Sequence, residues 1–261
     1  MSLSKDLGLG IKTYGKAFDI IFSKGLAWFF IFPLLFNILL LWSGLELIDW
    51  LIDYSNSYLF SSTGLQEASF WGSSVLRSVT SGFIWLVLKI VFYFIFAYVG
   101  GYLILIIMSP ILSILSEKTD KILTGKTYPF SAEQTMRDVV RGVLLALRNL
   151  GVELLIILGF FILGMIPFIG WFFSLISTFI LFFVSSYFYG FSFLDYSNER
   201  NRRTIKQSVK LIKDHKGIAI GNGVIFSLVL LIPWCGTSLA GFVAIVSVVA
   251  ATISMNEINN E

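Results

Sequence analysis

The chain has 261 residues, of which 56% are hydrophobic and only 13% charged, and its net charge is +3. Soluble domains carry about 25% charged residues. This composition therefore excludes an ordinary soluble globular protein, and apolar runs separated by polar stretches make it a membrane protein with several segments. The single cysteine, Cys235, excludes an internal disulfide.

Residues 1 to 25 mix Leu3, Leu7, Leu9, Ile11, Tyr14 and Phe18 with Lys5, Lys12 and Lys16. The pattern fits a short helix lying on a membrane surface; a partly disordered tail is the alternative. No short apolar core precedes a small-residue cleavage site, so the first helix is expected to be retained. A first span is predicted over about 26–52, since a bilayer core needs ~20 apolar residues in a helix. Pro33 would kink it, and Asn37 offers an interhelical hydrogen bond or a ligand contact. Residues 53 to 78 read as a polar loop. Glu46, Asp49 and Asp53 share one helix face, as a solvated helix end or a cation-collecting mouth. A second span is expected over about 83–108, with Lys89 near its start snorkelling to the interface.

Ser109-Pro110 then opens an amphipathic helix. Its apolar face carries Ile111, Leu112, Leu115, Ile122 and Leu123, and its polar face Glu117, Lys118, Asp120 and Lys121. Residues 124 to 150 read as a basic segment. Two similar apolar regions follow, at about 150–194 and 217–253. Each is interrupted by the same pattern, Ile166-Pro167-Phe168-Ile169-Gly170 and Ile232-Pro233-Trp234-Cys235-Gly236, at an offset of 66 residues. Proline and glycine at a shared spacing mark a turn, so each region is predicted to be a helical hairpin. The first arms, 151–166 and 218–232, fall short of the ~17–25 residues of a normal span. Either they cross a locally thinned bilayer, or the hairpins enter and leave on the same side.

Charge fixes the orientation. Of 19 Lys and Arg, four precede the first span, six lie between the second span and the first hairpin, and seven lie between the hairpins. Only Arg77 sits in the opposite loop. The rule that positive loops stay inside puts those three segments and both termini in the cytoplasm.

An enzyme is not expected. His215 is the only histidine and has no cysteine nearby, no phosphate loop or dinucleotide glycine pattern exists, and no cofactor is implied. The basic run from Arg200 to Lys216 suits anionic lipid headgroups; membrane topology already explains those charges, so no nucleic-acid partner is expected. The helix that begins at Gly236, Thr237 and Ser238 would expose N–H groups able to hold an anion, or Thr237 and Ser238 simply cap it.

Three blocks carry a resemblance. PLLFNILLL (Pro33 to Leu41), SPILSILSEKTDKIL (Ser109 to Leu123) and FLDYSNERNRRTIKQSVKLIKDHKGIAIGNG (Phe193 to Gly223) are similar to the CysZ-type sulfate permeases, within the wider etoposide-induced domain family. The Leu-Asp-Tyr block, Leu194-Asp195-Tyr196, is the most specific part. The resemblance implies an all-α membrane protein with two long transmembrane helices plus two partly penetrating hairpins, assembled as a homodimer or higher homo-oligomer. It implies sulfate uptake across the bacterial inner membrane for cysteine synthesis; a non-transporting scaffold of the same fold is the alternative. It also implies a small-anion site at Lys24, Gly25 and Leu26, where the family has Gly-Leu-Arg before the first span. Gly25 and Leu26 match, and Ala27 stands in the arginine's place.

Overall fold

The computed structural model describes residues 3–64, 71–127, 132–166, 169–232 and 235–259. They form α1 (Leu3–Ser23), a 3-10 turn (Ala27–Phe30), α2 (Ile31–Thr63), α3 (Ser73–Thr124), α4 (Ala132–Gly164), α5 (Ile169–Arg200), α6 (Ile205–Asp214), α7 (Lys216–Leu230) and α8 (Gly236–Asn259). There is no strand among the described residues. Among the described residues, six segments are long and apolar enough to cross a bilayer: Ala27–Thr63, Ser73–Phe92, Gly100–Thr124, Val139–Gly164, Ile176–Arg200 and Gly236–Asn259. The protein is an all-α, multi-pass membrane protein.

The helices divide into two units, Met1–Pro33 with Gly101–Glu261, and Leu34–Gly100. In the first unit α7 lies against α5, α1 and α8. Small residues allow this. A Cβ on Gly190 of α5 would sit 1.8 Å from the Ala219 carbonyl oxygen, and one on Gly223 of α7 would sit 1.8 Å from the Ser186 oxygen. Ser186 with Gly190, and Ala219 with Gly223, are small residues four apart on facing helices, the pairing that lets membrane helices touch backbone to backbone. The other side of α7 meets α1 in the same way, through Gly217, Gly221 and Gly10.

Helix α8 is the most enclosed candidate span, with 78% of its most apolar window buried against 7% for the segment that contains α2. Its polar residues tie the neighbours together. Thr252 Oγ1 lies 2.8 Å from Ser116 Oγ on α3, and Ser254 Oγ lies 3.1 Å from Thr13 Oγ1 on α1. The Tyr14 hydroxyl donates to the Asn222 carbonyl at 2.5 Å, which leaves Ser247, at 2.7 Å, to donate to Tyr14. These contacts make residues 3–23 a docked helix rather than a tail. Leu3, Ile11, Phe18 and Phe22 stay exposed on its outer side.

The second unit is the remainder of α2 with the first part of α3. A Cβ on Gly44 would lie 3.9 Å from the Phe92 ring. Leu34, Ile38, Trp42, Trp50, Phe83 and Ile90 are all exposed, an apolar surface suited to lipid. Trp50, Tyr54 and Tyr58 stack along one face. The Lys89 ammonium reaches back one turn to lie 4.1 Å from the Trp85 ring centroid.

Several boundaries differ from the sequence reading. Pro33 falls in the first turn of α2, where a missing N–H costs little, and not in the middle of the span. The polar stretch 53–78 is largely helical, because α2 runs to Thr63 and α3 starts at Ser73. Pro110 lies inside α3 and does not open a new helix. The inward face of this part of α3 is Leu112, Leu115, Ser116, Thr119 and Asp120, with Ile122 and Leu123 exposed. Helix α4 has 33 residues, so the first arm of the first hairpin is not short; α7, with 15 residues, is. Helix ends at Gly164 and Leu230 and restarts at Ile169 and Gly236 fit two breaks. Pro167, Phe168, Pro233 and Trp234, which were to carry the turns, lie outside the described residues.

Candidate functional site

Helix α1 ends in a left-handed stop. Gly25 has φ +71°, the Lys24 amide donates to the Ile20 carbonyl at 3.0 Å, and the Leu26 amide donates to the Ile21 carbonyl at 3.0 Å. The second bond and the left-handed glycine are the Schellman arrangement, with Gly25 where only glycine is unstrained and buried Leu26 as the apolar residue that follows. Gly25 and Leu26 therefore have a structural task of their own. The Lys24 side chain is exposed beside them.

The 3-10 turn that follows brings in a second cation. Its Trp28 is exposed and its Phe29 buried. The Lys118 ammonium of α3 lies 5.0 Å from the Trp28 ring centroid and 5.3 Å from that of Phe29, within cation–π range. Lys24 thus precedes Ala27 in sequence, and α3 delivers a second ammonium, that of Lys118, to the two rings that follow Ala27.

The start of α8 offers less to an anion. The Gly236 amide donates to the Ile232 carbonyl at 2.9 Å, and a Cβ there would meet the Val229 and Leu230 oxygens at 2.6 and 2.8 Å. Carbonyl oxygens back this glycine, and its own N–H is used. Thr237 and Ser238 are half-buried in the first turn. The 3-10 turn approaches α8 just beyond them, where the Phe30 and Phe242 ring centroids are 6.2 Å apart.

Among the described residues, one buried guanidinium–carboxylate pair and one part-buried pair tie the last turns of α3 and α5 to their neighbours. Arg200 reaches Asp120 at 3.3 Å, with the two side chains 5% and 6% exposed; Arg200 also donates to Ser116 and Ser197, and Asn256 donates to Asp120 at 2.7 Å. Arg141 grips Asp195 with two parallel bonds of 2.9 and 3.0 Å and donates to Ser208 Oγ at 2.8 Å and to the Arg203 carbonyl. The same two turns of α3 carry Lys118 outward to Trp28 and Asp120 inward to Arg200.

A family profile described as Sulfate transporter CysZ/Etoposide-induced protein 2.4 matches residues 13–240, which is most of the chain. The chain belongs to that family. Membership in the CysZ/etoposide-induced family makes it a relative of transporters rather than of enzymes. Its Leu-Asp-Tyr block also acquires a physical reason: Asp195 is the carboxylate that Arg141 forks, a planar, doubly bonded pair that lysine could not reproduce.

One feature inside the spans of this family member does not stand out in the sequence. Glu153 is 6% exposed and lies within Val139–Gly164. The Tyr102 hydroxyl donates to its Oε2 at 2.5 Å, and the Ser185 hydroxyl donates to the other oxygen. Arg141, Leu145, Asn149 and Glu153 are spaced four apart, one stripe of α4 that faces α5; Asn149 donates to Ser192 Oγ at 3.2 Å. The available signal was a lone acid in an otherwise apolar run, which membrane helices rarely tolerate without a task.

Proposed function

We propose that this chain carries a small tetrahedral oxyanion, sulfate, across a bacterial inner membrane to supply cysteine synthesis. The family match over 13–240 carries this reading. The site is the corner made by Lys24, Gly25 and Leu26, with Lys118, held over the Trp28 ring, as a further positive charge next to the residue that follows Ala27, the position at which the resemblance implies arginine. Both termini face the cytoplasm, the chain works as a homodimer or higher oligomer, and the basic segment 200–216 rests on anionic lipid headgroups.

A second reading, a membrane scaffold of the same fold, draws support from Ala27 and from the helix-stop role of Gly25 and Leu26. Labelled-sulfate flux into proteoliposomes of the purified protein separates the two. Calorimetry on detergent-purified protein refines the answer. Ala27→Arg adds charge-assisted hydrogen bonds worth roughly 1.5–3 kcal/mol, so sulfate binding should tighten by about tenfold or more. Lys118→Ala and Lys24→Ala should each weaken it. Absence of flux, with no sulfate binding by the unaltered protein or by Ala27→Arg, would leave the scaffold reading standing.

A further inference from the structure

A polar cavity of about 320 Å³ opens where α3, α5 and α8 end. Its walls include Asp120, Lys126, Arg200, Arg203, Asn256 and Asn259. The volume is at the small end of the roughly 300–1,000 Å³ of small-molecule sites, with room for an oxyanion and its waters.

The cations around it are placed by specific local structure. Gly125, at φ +73°, ends α3 and its amide donates to the Lys121 carbonyl at 2.9 Å; the next residue is Lys126, whose ammonium has no partner among the described residues. Helix α5 ends in a Schellman arrangement as well, with the Arg203 amide donating to the Asn198 carbonyl at 3.0 Å. The left-handed position there is held by Arg202 at φ 55°, not by a glycine. Arg203 is steadied by Asn198 and Asn259 at 2.9 Å each. Arg200, 5% exposed, is fixed by Asp120, Ser116 and Ser197.

Among the described residues that line the cavity, three cations face one carboxylate. The three helix ends each contribute about half a negative charge, which does not reverse the total. Arg200 and Asp120 largely satisfy each other, so Lys126 and Arg203 carry the excess. We infer that this cavity is an anion site, distinct from the Lys24 corner, that binds a tetrahedral oxyanion of the sulfate or phosphate class, free in solution or carried on a lipid headgroup. The two sites sit on different faces of the last turns of α3, which present Lys118 to one and Asp120 to the other. This goes beyond the transport reading and does not require it.

The test uses full-length protein carrying Lys24→Ala and Lys118→Ala, so that the other corner is silent. Sulfate and phosphate are titrated into delipidated, detergent-purified protein by calorimetry. In parallel, native mass spectrometry follows retention of phosphatidylglycerol against phosphatidylcholine. Lys126→Gln and Arg203→Gln should each lower affinity by about tenfold, the loss of one charge-assisted contact, and Lys126→Arg should restore it. Arg200 is left intact because it holds the helix ends together, and melting curves verify that each variant is folded. A loss confined to the free ions identifies a soluble ligand, and a loss confined to phosphatidylglycerol identifies a headgroup; both support the site. If the parent binds none of these, or if both glutamine variants bind as tightly as the parent, the inference is overturned. Labelled-sulfate flux of the unaltered protein is measured separately, so failure of transport and failure of this site remain distinct results.

Discussion

Gly223→Ala is the sharpest test of how α5 and α7 are held. The added Cβ would fall 1.8 Å from the Ser186 carbonyl oxygen and 2.7 Å from the Gly190 amide nitrogen. Both are backbone atoms, so no side chain can rotate away. Real contacts begin near 3.0–3.4 Å, so the helices must part by roughly 1.4 Å, which opens the backbone-to-backbone contact that this pair depends on. Overpacking of this kind costs typically 1–3 kcal/mol. Against it stands the helix propensity gained on replacing glycine by alanine, about 1 kcal/mol at most. The net expectation is destabilisation of up to about 2 kcal/mol. Gly159→Ala is the control, since nothing lies within 4 Å of a Cβ there and the propensity gain acts alone. Circular dichroism melts in one detergent should show Gly223→Ala below the unaltered protein and Gly159→Ala at or above it. Equal or higher stability of Gly223→Ala would refute the close-packing argument.

Arg141→Ala leaves the Asp195 carboxylate, 4% exposed, without its partner, and should destabilise by about 3–5 kcal/mol; an additive double-mutant cycle with Asp195→Ala in denaturant would disprove the coupling. Burial pushes the Tyr14 phenol above its ordinary value, the Ser247 hydrogen bond only partly opposing this. Since the folded state holds that proton more tightly, the contribution is intact below the unfolded pKa of about 10 and is lost as pH rises past it. Tyr14→Phe should therefore lose about 0.5–1.5 kcal/mol near neutral pH and show a shallower alkaline decline in melting temperature than the parent; parallel declines would count against it. Single cysteines in a Cys235→Ala background test orientation: Ser61→Cys should label from outside intact cells and Lys206→Cys should not, and the reverse pattern would refute the charge count.

The membrane class, the two helix breaks and the family were legible in the sequence, because each rests on runs of apolar residues or on a contiguous block; the second span, expected at about 83–108, was not, since α3 runs Ser73–Thr124 and holds two candidate spans, Ser73–Phe92 and Gly100–Thr124. Contacts across the fold were not legible. Arg141 reads as a loop cation until Asp195, 54 positions away, is seen to take it inside, and so the first arm was cut short. Asp120 reads as one more residue of a polar face because its partner, Arg200, belongs to another helix. Helix α8 is apolar on every side, so periodicity gave no direction for Ser247, Thr252 and Ser254. At the candidate anion corner the matching residues were visible, but Lys118, which supplies the second charge, lies far along the chain and only the fold delivers it.

The docking of α1 has a consequence for biosynthesis. Its partners, Asn222, Ser247 and Ser254, lie 208 to 241 residues downstream. Helix α1 is made before these partners and is therefore among the last segments to reach its native place, since α7 and α8 must exist before α1 can settle. Until then Leu3, Ile11, Phe18 and Phe22 give it an apolar side with which to rest on the membrane surface. A substitution that weakens the α1 contacts, such as Tyr14→Phe, would burden this final docking and leave the insertion of the earlier spans untouched.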